Sequence, residues 1–330
     1  MKLLFSFITV LLLVIIAYAG IRYASLYYVF GVIIPYAAVG IFITGFVYRV
    51  LKWAGSPVPF RIPTTCGQEK SLPWIKQNKL DNPSSTLGVI GRMSLEILFF
   101  RSLLRNTKTE LREGPSLAYG SDKWLWLAGL AFHWSFLIIL IRHLRLFTEP
   151  VPYLITLLNN LDAFLQIGVP PLYITDVVLL ASVSYLFIRR VLIPQFRYIS
   201  LISDYFPLFL ILGIGISGIL MRYFFRVNLI SVKELVMGLV SFNPQVSADI
   251  GSIFYIHIML IATLFAYFPF SKLMHMGGVF LSPTRNLANN NRMIRHINPW
   301  NYPVKVHTYE EYEDEFRDKM KAVDIPVEKE

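Results

Sequence analysis

The sequence has little cysteine and little charge. Cys66 is the only cysteine among 330 residues, which excludes an intrachain disulfide and any zinc or iron–sulfur site built from several cysteines of this chain. Charged residues make up only 16%, whereas hydrophobic residues make up 55% and the mean hydropathy is +0.53. No internal repeat or glycine-rich phosphate-binding loop is visible. This composition predicts a polytopic membrane protein rather than a soluble domain.

Long apolar runs predict an all-α membrane bundle of about six helices. A spanning helix needs about 20 mostly apolar residues. Five candidates carry no charge, and a sixth, weaker one has Asp176 and the Arg189–Arg190 pair near its ends. The predicted spans are residues 3–21, 23–48, 124–141, 172–193, 205–221 and 250–271. The first also fits a secretory signal peptide, since a lysine precedes it and an Ala-Tyr-Ala sequence ends it; we predict that it is retained.

The distribution of Lys and Arg predicts the orientation, because cytoplasmic loops are enriched in both. Residues 49–123 contain twelve of them, residues 147–175 contain none, and the tail from residue 272 contains nine. Six spans in the cell membrane with both termini in the cytoplasm satisfy all three loops. The net charge of +10 is therefore attributed to orientation, not to nucleic-acid binding. The exceptions, at predicted outer ends, are Arg142, Arg145, Arg222, Arg226 and Lys233.

The loops divide the chain into five predicted regions. These are a first span (1–22), a second span (23–51), a cytoplasmic loop with an amphipathic helix (52–123), a four-helix membrane core (124–281) and a cytoplasmic tail (282–330). Helical spacing over residues 95–108 predicts the amphipathic helix, and the acidic stretch 309–321 predicts a soluble helix. Segments 150–171 and 227–243 are predicted to be short helices on the outer membrane surface.

Four of the six histidines lie in the third and sixth predicted spans, whereas His296 and His307 lie in the tail. Ionisable residues within spans are rare and usually mark a functional path or pair. Ten residues, about 15 Å of ideal helix, separate the first two, and eighteen residues, about 27 Å, separate the last two. The four membrane histidines are His133, His143, His257 and His275.

Because the third and sixth spans run antiparallel in a six-span bundle, His133 is predicted to face His275, and His143 to face His257. Haem fits two facing imidazoles, since its iron takes an axial ligand on each face. We therefore predict an inner and an outer haem b in the bundle core. The unequal spacings require a distortion, for which Pro269 offers a kink.

Three alternatives accompany this interpretation. Copper or zinc would need its ligands clustered at one level, with a further Cys, His or carboxylate. A transporter with a proton relay would need polar residues between the levels, where the two spans offer mainly Ser135 and Thr263. A structural anchor would leave four membrane histidines unexplained.

Arg142 and Arg145 can neutralise propionates of the outer haem or contact quinol, or can simply extend to the membrane interface.

The histidine pattern resembles that of the cytochrome b subunit of respiratory nitrate reductase. The sequence "IHIMLIATLFAYFPFSKLMH" (256–275) is similar to that family's last span, and the resemblance extends over residues 27–49 and 124–296. The family's two-plus-two histidine set implies His133 with His275 at the cytoplasmic haem and His143 with His257 at the outer haem. The family's quinol-site lysine has no counterpart, because residues 147–175 contain no Lys or Arg.

Two further stretches resemble the DsrM family, the membrane cytochromes b of DsrMKJOP complexes in dissimilatory sulfur metabolism. They are "CGQEKSLPWIKQNKLDNPSSTLGVIGRM" (66–93) and "NPWNYPVKVHTYEEYEDEFRDKM" (298–320). The resemblance implies an electron-transfer, quinol-oxidising subunit that passes electrons from menaquinol to a cytoplasmic iron–sulfur partner related to heterodisulfide reductase, the DsrK-like subunit. It also implies the other DsrMKJOP subunits and, indirectly, a small sulfur-carrier protein. The alternative is a subunit of another nitrate reductase- or heterodisulfide reductase-type complex.

Overall fold

The structure, a computed structural model, describes residues 1–56, 67–105, 108–114, 116–282, 284–293, 303 and 306–329. Cys66, His296 and part of the 298–320 stretch lie outside the described residues. The described helices are α1 (Lys2–Arg22), α2 (Ile34–Ala54), α3 (Thr86–Phe99), α4 (Arg101–Leu104), α5 (Lys123–His143), α6 (Tyr153–Asp162), α7 (Ile174–Leu192), α8 (Pro194–Ile199), α9 (Ile202–Ile219), α10 (Leu229–Val240), α11 (Ser252–Tyr267), α12 (His275–Leu281) and α13 (Tyr309–Ala322). Strands β1 (Lys108–Arg112) and β2 (Ser116–Gly120) form an antiparallel hairpin.

Five of the described helical segments are long and apolar enough to cross a membrane. They are Lys2–Arg22, Val29–Ala54, Lys123–Leu146, Ile202–Phe225 and Ser252–Phe270. The predicted sixth span forms α7, which packs against α5 and α9; Asp176, Arg189 and Arg190 all lie within its 19 residues. The prediction of a polytopic helical membrane bundle is confirmed.

α11 lies at the centre of the bundle, in contact with α1, α2 and α9. Its side chains Tyr255 and Leu260 are almost fully buried, as are Ile21 of α1 and Leu210 of α9. Lipid tails are as apolar as these side chains, so close van der Waals packing rather than exclusion of water holds such helices together. The central helix is also the one that carries His257 and leads to His275.

Charged side chains define the two ends of the bundle. At one end, here named the loop face, Asp204 lies 2.7 Å from the Lys272 ammonium and 3.8 Å from Arg190. Lys2 donates to the Ser200 carbonyl there at 2.9 Å. At the other end, named the arginine face, Arg142 pairs with carboxylates between α5, α6 and α7. Charges thus occur where helices leave the apolar layer, as a membrane requires.

The loops confirm some local predictions and correct others. The two surface segments and the acidic tail form the helices α6, α10 and α13, as the patterns predict. The single helix over 95–108 is wrong: Phe100 takes a left-handed conformation (φ 49°) and separates α3 from α4. The β1–β2 hairpin, with Lys108 opposite Gly120, is absent from the sequence-based prediction.

The last span is not the continuous helix that the eighteen-residue histidine spacing assumes. α11 ends at Tyr267 and is followed by a 3₁₀ turn, Phe268–Phe270. The chain is extended at Ser271 (ψ 178°), and a second 3₁₀ turn, Lys272–Met274, leads into α12. The predicted distortion at Pro269 is therefore a complete interruption, which redirects the chain before His275.

Candidate functional site

His133 and His275 lie side by side in the half of the bundle nearer the loop face. α5 carries His133, and α12 begins at His275. The centres of the two imidazole rings are 5.9 Å apart, and the ring planes meet at 83°. The phenyl rings of Phe100 and Phe132 flank His133, each with its centre 4.8 Å from the imidazole centre. The structure thus brings together the two side chains predicted to form the inner pair.

His143 and His257 form the second pair, toward the arginine face. They lie close enough to interact electrostatically. His257 is buried in α11 with 7% of its surface exposed, and its Nδ1 lies 2.8 Å from Ser217 Oγ of α9. The two pairs therefore lie at different levels of the bundle.

Hydrogen bonds give three of the four imidazoles the same tautomer directly. Nδ1 of His133 lies 2.7 Å from the Gly129 carbonyl, and Nδ1 of His143 lies 2.7 Å from the Ile139 carbonyl. Helical side chains lean toward the helix N-terminus, which brings each ring to the carbonyl four residues earlier. Nδ1 of His275 lies 2.9 Å from the Lys272 carbonyl. A carbonyl only accepts, so Nδ1 carries the proton in all three.

Ser217 gives His257 the same tautomer by a different route. Its hydroxyl has one proton, which it donates to the Ile214 carbonyl at 3.0 Å. The Oγ therefore accepts from Nδ1–H of His257. All four membrane histidines thus keep Nε2 unprotonated when neutral. A metal-binding histidine has this arrangement: one nitrogen is fixed by a hydrogen-bond acceptor, and the other offers its lone pair.

The separation of the first pair fits a metal held between two imidazoles. Metal–imidazole bonds are about 2 Å long, and a ring centre lies roughly 1 Å beyond its nitrogen, so opposed ligands have centres about 6 Å apart. The measured value is 5.9 Å. His133, His143 and His275 also present exposed surface despite their apolar surroundings. The ring separation and the exposed surface of these side chains are therefore compatible with axial ligation of one haem iron.

The same side chains give less support to a copper or zinc site, which needs its ligands clustered at one level. Among the described residues, no three or more His, Cys, Asp or Glu side chains form a group able to hold a metal ion. Each level instead offers two imidazoles, which is the number that a six-coordinate haem iron takes from protein. The geometry therefore favours haem over copper or zinc.

The hydroxyl groups between the histidine levels are held by their own helices. Ser135 donates to the Phe132 carbonyl at 3.1 Å, and Thr263 donates to the Met259 carbonyl at 2.8 Å. A proton relay needs groups that donate to one another along a path. These two side chains do not form such a path.

Arg142, which precedes His143, is buried between two carboxylates. Only 5% of its surface is exposed; its Nη1 lies 2.6 Å from Asp162, and its Nη2 donates to Asp176 at 2.9 Å. Asp162 also accepts from the Thr175 backbone N–H at 2.8 Å and from its hydroxyl at 2.6 Å. One cation and two carboxylates thus join α5, α6 and α7. Removing one member of such a buried group leaves the others uncompensated.

Tyr173 extends this buried cluster toward Arg222. The guanidinium carbons of Arg142 and Arg222 lie 3.7 and 3.9 Å from the centre of the Tyr173 ring, in cation–π contact. The Tyr223 hydroxyl donates to Asp176 at 3.2 Å and accepts from the Tyr173 backbone N–H at 3.0 Å. The start of α7 is thereby fixed beside the second histidine pair.

Arg145 is the less engaged of the two predicted site arginines. It is half-buried, and its Nη1 lies 3.5 Å from the Tyr173 hydroxyl. Arg142, Arg145 and Asp176 all lie close enough to His143 to interact with it electrostatically. Because Arg142 already pairs with two carboxylates, Arg145 has the greater capacity for an added anion. Contact of either arginine with a propionate or a quinol stays a prediction.

At the loop face, residues 67–104 and 284–293 form one folded unit, here named the loop–tail module. Arg92 donates to the carbonyls of Asp81, Thr284 and Arg285. The side chains of Asn82 and Asn289 hydrogen-bond to each other and are almost fully buried. Two segments that lie about two hundred residues apart in the sequence therefore present a single surface.

Asp81 is the anionic centre of this module. Burial raises the pKa of its carboxyl, but hydrogen bonds from Arg101 and Arg105, and their charges, lower it more, so the pKa lies below the usual range. The carboxylate thus stays ionised and holds α4 against the preceding loop. In the tail, Glu313 accepts from the backbone N–H groups of Glu328 and Lys329, which lowers the pKa of the Glu313 carboxyl.

The loop–tail module touches the first histidine pair directly. The indole N–H groups of Trp126 and Trp134 donate to the Phe99 and Leu98 carbonyls at 2.7 and 3.0 Å. These carbonyls belong to the last turn of α3, where helical partners run out. The contacts place Phe100 against His133. The module is therefore the part of the described loop face that reaches the candidate ligands.

A known protein family matches the part of the chain that contains the candidate site. Residues 94–296, more than half of the chain, match the family model of the nitrate reductase gamma subunit. The chain belongs to this family. The matched region contains all four membrane histidines, and its apolar helices belong to a multi-pass membrane protein.

Two relatives are similar over most of their length. An "Hdr-like menaquinol oxidoreductase cytochrome b-like subunit" of Archaeoglobus fulgidus is 48% identical over 279 residues, which cover 82% of this chain and 83% of that relative. The protein of the same description from Archaeoglobus profundus is 42% identical over 274 residues, which cover 81% of each chain. Both similarities extend well beyond a shared histidine pattern.

Sequence reasoning missed Asp162 and Ser217 as residues that support the site. A carboxylate that ends a short apolar helix, as Asp162 does, is a usable signal, because it needs a buried cation. Ser217 carries no such signal. Its contact with His257 depends on which helices are neighbours, and no local pattern specifies that.

Proposed function

We propose that the chain is the di-haem cytochrome b subunit of a menaquinol-oxidising complex in the cytoplasmic membrane. The observation that carries the proposal is the set of four imidazoles in two pairs, each with its Nδ1 hydrogen-bonded to an acceptor of the chain. In support, the matched family is described as the nitrate reductase gamma subunit, and both relatives are described as cytochrome b-like subunits of a menaquinol oxidoreductase.

In this proposal His133 and His275 hold one haem b, and His143 and His257 hold the other. Bound haem supplies one-electron transfer, which the polypeptide cannot perform alone. The chain's own residues fix the ligand tautomers, exclude water from the central helix and set the distance between the two levels. Arg145 offers a positive charge beside the second pair, where it would meet a propionate or the quinol headgroup.

Orientation follows from the basic loops. The loop face, which gathers the lysine- and arginine-rich segments, is assigned to the cytoplasm with both termini, and the arginine face to the outside. Menaquinol oxidation is assigned to the arginine face, beside His143 and His257. The quinol would then release its two protons outside, and haems held by the two pairs would supply one-electron transfer inward, toward His133 and His275.

The partner is assigned to the loop–tail module. That module contacts His133, and its residues 67–93 belong to one of the two stretches that resemble the DsrM family. We propose that a cytoplasmic iron–sulfur subunit related to heterodisulfide reductase docks there, together with the tail helix α13, within a sulfur-metabolising complex that includes further DsrMKJOP-type subunits and serves a small sulfur carrier. The described lysines of the 70–79 segment, Lys70, Lys76 and Lys79, give this surface a positive charge suited to an acidic partner face.

The purified chain is expected to contain two low-spin haems b. A pyridine haem assay per mole of chain measures the number, and the reduced-minus-oxidised visible spectrum measures ligation. A soluble naphthoquinol should reduce both haems. A chain that binds no haem, or that binds a single haem for which all four histidines are required, contradicts the proposal.

Deleting residues 309–330 is expected to leave the haem spectrum unchanged and to weaken co-purification of the iron–sulfur partner. α13 lies outside the membrane bundle, and its exposed acidic side chains, such as Glu315 and Asp318, are available to a partner. Lys233→Gln, at the arginine face, is the control for a charge change away from the docking surface. Partner recovery equal to that of the full chain would remove the tail from the interface.

A further inference from the structure

The position of His275 depends on the interruption that follows α11. Between Tyr267 and His275 the chain makes two 3₁₀ turns joined by an extended residue, Ser271. Ser271 Oγ donates to the Phe268 carbonyl at 2.9 Å and accepts from the Leu273 N–H at 3.1 Å. These bonds stabilise the turns locally. They do not fix the direction in which the second turn leaves the bundle, so another element must do so.

That element is α2, which carries no histidine. Gly45 of α2 approaches the interruption so closely that a Cβ atom at this position would lie 2.8 Å from Pro269 Cβ and 2.9 Å from Phe270 Cζ. Carbon atoms do not pack at such distances, so something must shift. Pro269 is itself buried and has a fixed backbone φ, which limits how it can yield.

α2 contacts the chain before and after this close approach. The Phe42 ring centre lies 5.2 Å from that of Phe265 and 5.6 Å from that of Phe268. Beyond His275, a Cβ added at Gly277 would lie 3.7 Å from ring atoms of both Phe46 and Trp53. One face of α2 thus follows the whole passage from the end of α11 into α12.

We infer that Gly45 is a positioning residue for His275, and that α2 sets the separation of the His133–His275 pair through it. A side chain at Gly45 pushes Pro269 away from α2 and displaces the turn that carries His275, while His133 stays on α5. The inference rests on the proposed function only for the identity of the group, haem, that the His133–His275 pair holds. A side chain at Gly45 should not displace the second pair, because His257 precedes Pro269 by twelve residues, about 18 Å of helix, and bonds to α9.

The test compares Gly45→Ala with Gly40→Ala in the full-length chain. Both glycines lie in α2, so both changes raise helix propensity equally, but a Cβ at Gly40 meets nothing within 4 Å. Redox titration and low-temperature spectra of the purified protein resolve the two haem signals. Gly45→Ala is expected to shift the midpoint potential or band position of one haem, or to remove it, and to leave the other unchanged. Gly40→Ala should match the parent chain.

Gly45→Leu extends the series and should abolish the affected signal. Assignment uses His275→Ala as the reference for the lost signal. The inference is overturned if Gly45→Ala changes neither haem, diminishes both equally, or alters the signal lost in His257→Ala. A parent chain without haem would refute the proposed function instead, so the two failures are distinguishable.

A second measurement does not need haem. Backbone hydrogen exchange over residues 268–275, recorded on chain prepared without haem, should be faster in Gly45→Ala than in Gly40→Ala, because the displaced turn loses its packing against α2. Equal exchange in the two variants would show that Gly45 does not hold the turn and would overturn the inference.

Discussion

His133→Ala and His275→Ala are expected to remove the same haem, and His143→Ala and His257→Ala the other. The physical reason is the geometry of the pairs: the first two rings are 5.9 Å apart, and one imidazole cannot retain a six-coordinate low-spin iron. Each variant should lose about half of the haem b, since two sites are proposed. The pyridine haem assay measures content, and redox titration identifies the site that remains.

Two control variants accompany this prediction: one changes a histidine outside the bundle, and the other changes a hydrogen-bond partner of a ligand histidine. His307→Ala alters an exposed histidine of the tail and should lose no haem. Ser217→Ala removes the acceptor of His257 Nδ1–H and should retain haem with a changed potential, because the acceptor tunes ligand basicity. If His133→Ala and His257→Ala instead share one spectral loss, the antiparallel pairing is wrong.

The pairing could be predicted because it depends on quantities that a sequence contains. Apolar runs define the spans, and the direction of each span follows from its order along the chain. His133 must then meet the later of the two histidines in the last span. The eighteen-residue spacing is harder to interpret, because it assumes an unbroken helix. Pro269 marks the interruption, but no local pattern marks the extended conformation of Ser271.

The loop–tail module and the burial of Arg142 both depend on contacts between distant segments, and neither has a local signature in the sequence. In the sequence, Asn82 and Asn289 resemble ordinary loop residues. In the structure, each is almost fully buried by the other's segment. Arg142 stands out in sequence only as a cation on the wrong side of the membrane. Its partners Asp162 and Asp176 lie on two other helices, so its burial follows from helix packing and not from its own position.

Arg142→Gln is expected to destabilise the protein strongly, whereas Arg145→Gln is expected to slow its reduction by quinol. Without Arg142, the carboxylates of Asp162 and Asp176 remain buried without a cation, and breaking such a group typically costs about 3–5 kcal/mol. Thermal unfolding of the purified chain should therefore occur at a markedly lower temperature. Arg145 makes a single long hydrogen bond, so its loss should leave the unfolding temperature nearly unchanged.

A charge-balanced variant separates burial from any direct role in quinol binding. Combining Arg142→Met with Asp162→Asn and Asp176→Asn removes all three charges, and replacing a whole buried ionic group is often close to neutral for stability. This variant should recover most of the stability lost in Arg142→Gln. Reduction by a naphthoquinol is then measured in it and in Arg145→Gln, with haem content as the control. Because Arg145 lies close to His143, haem reduction by the naphthoquinol should be several-fold slower in Arg145→Gln. A quinol-reduction rate unchanged in Arg145→Gln, or an inhibitor that perturbs only the haem of His133 and His275, would place the quinol site at the loop face.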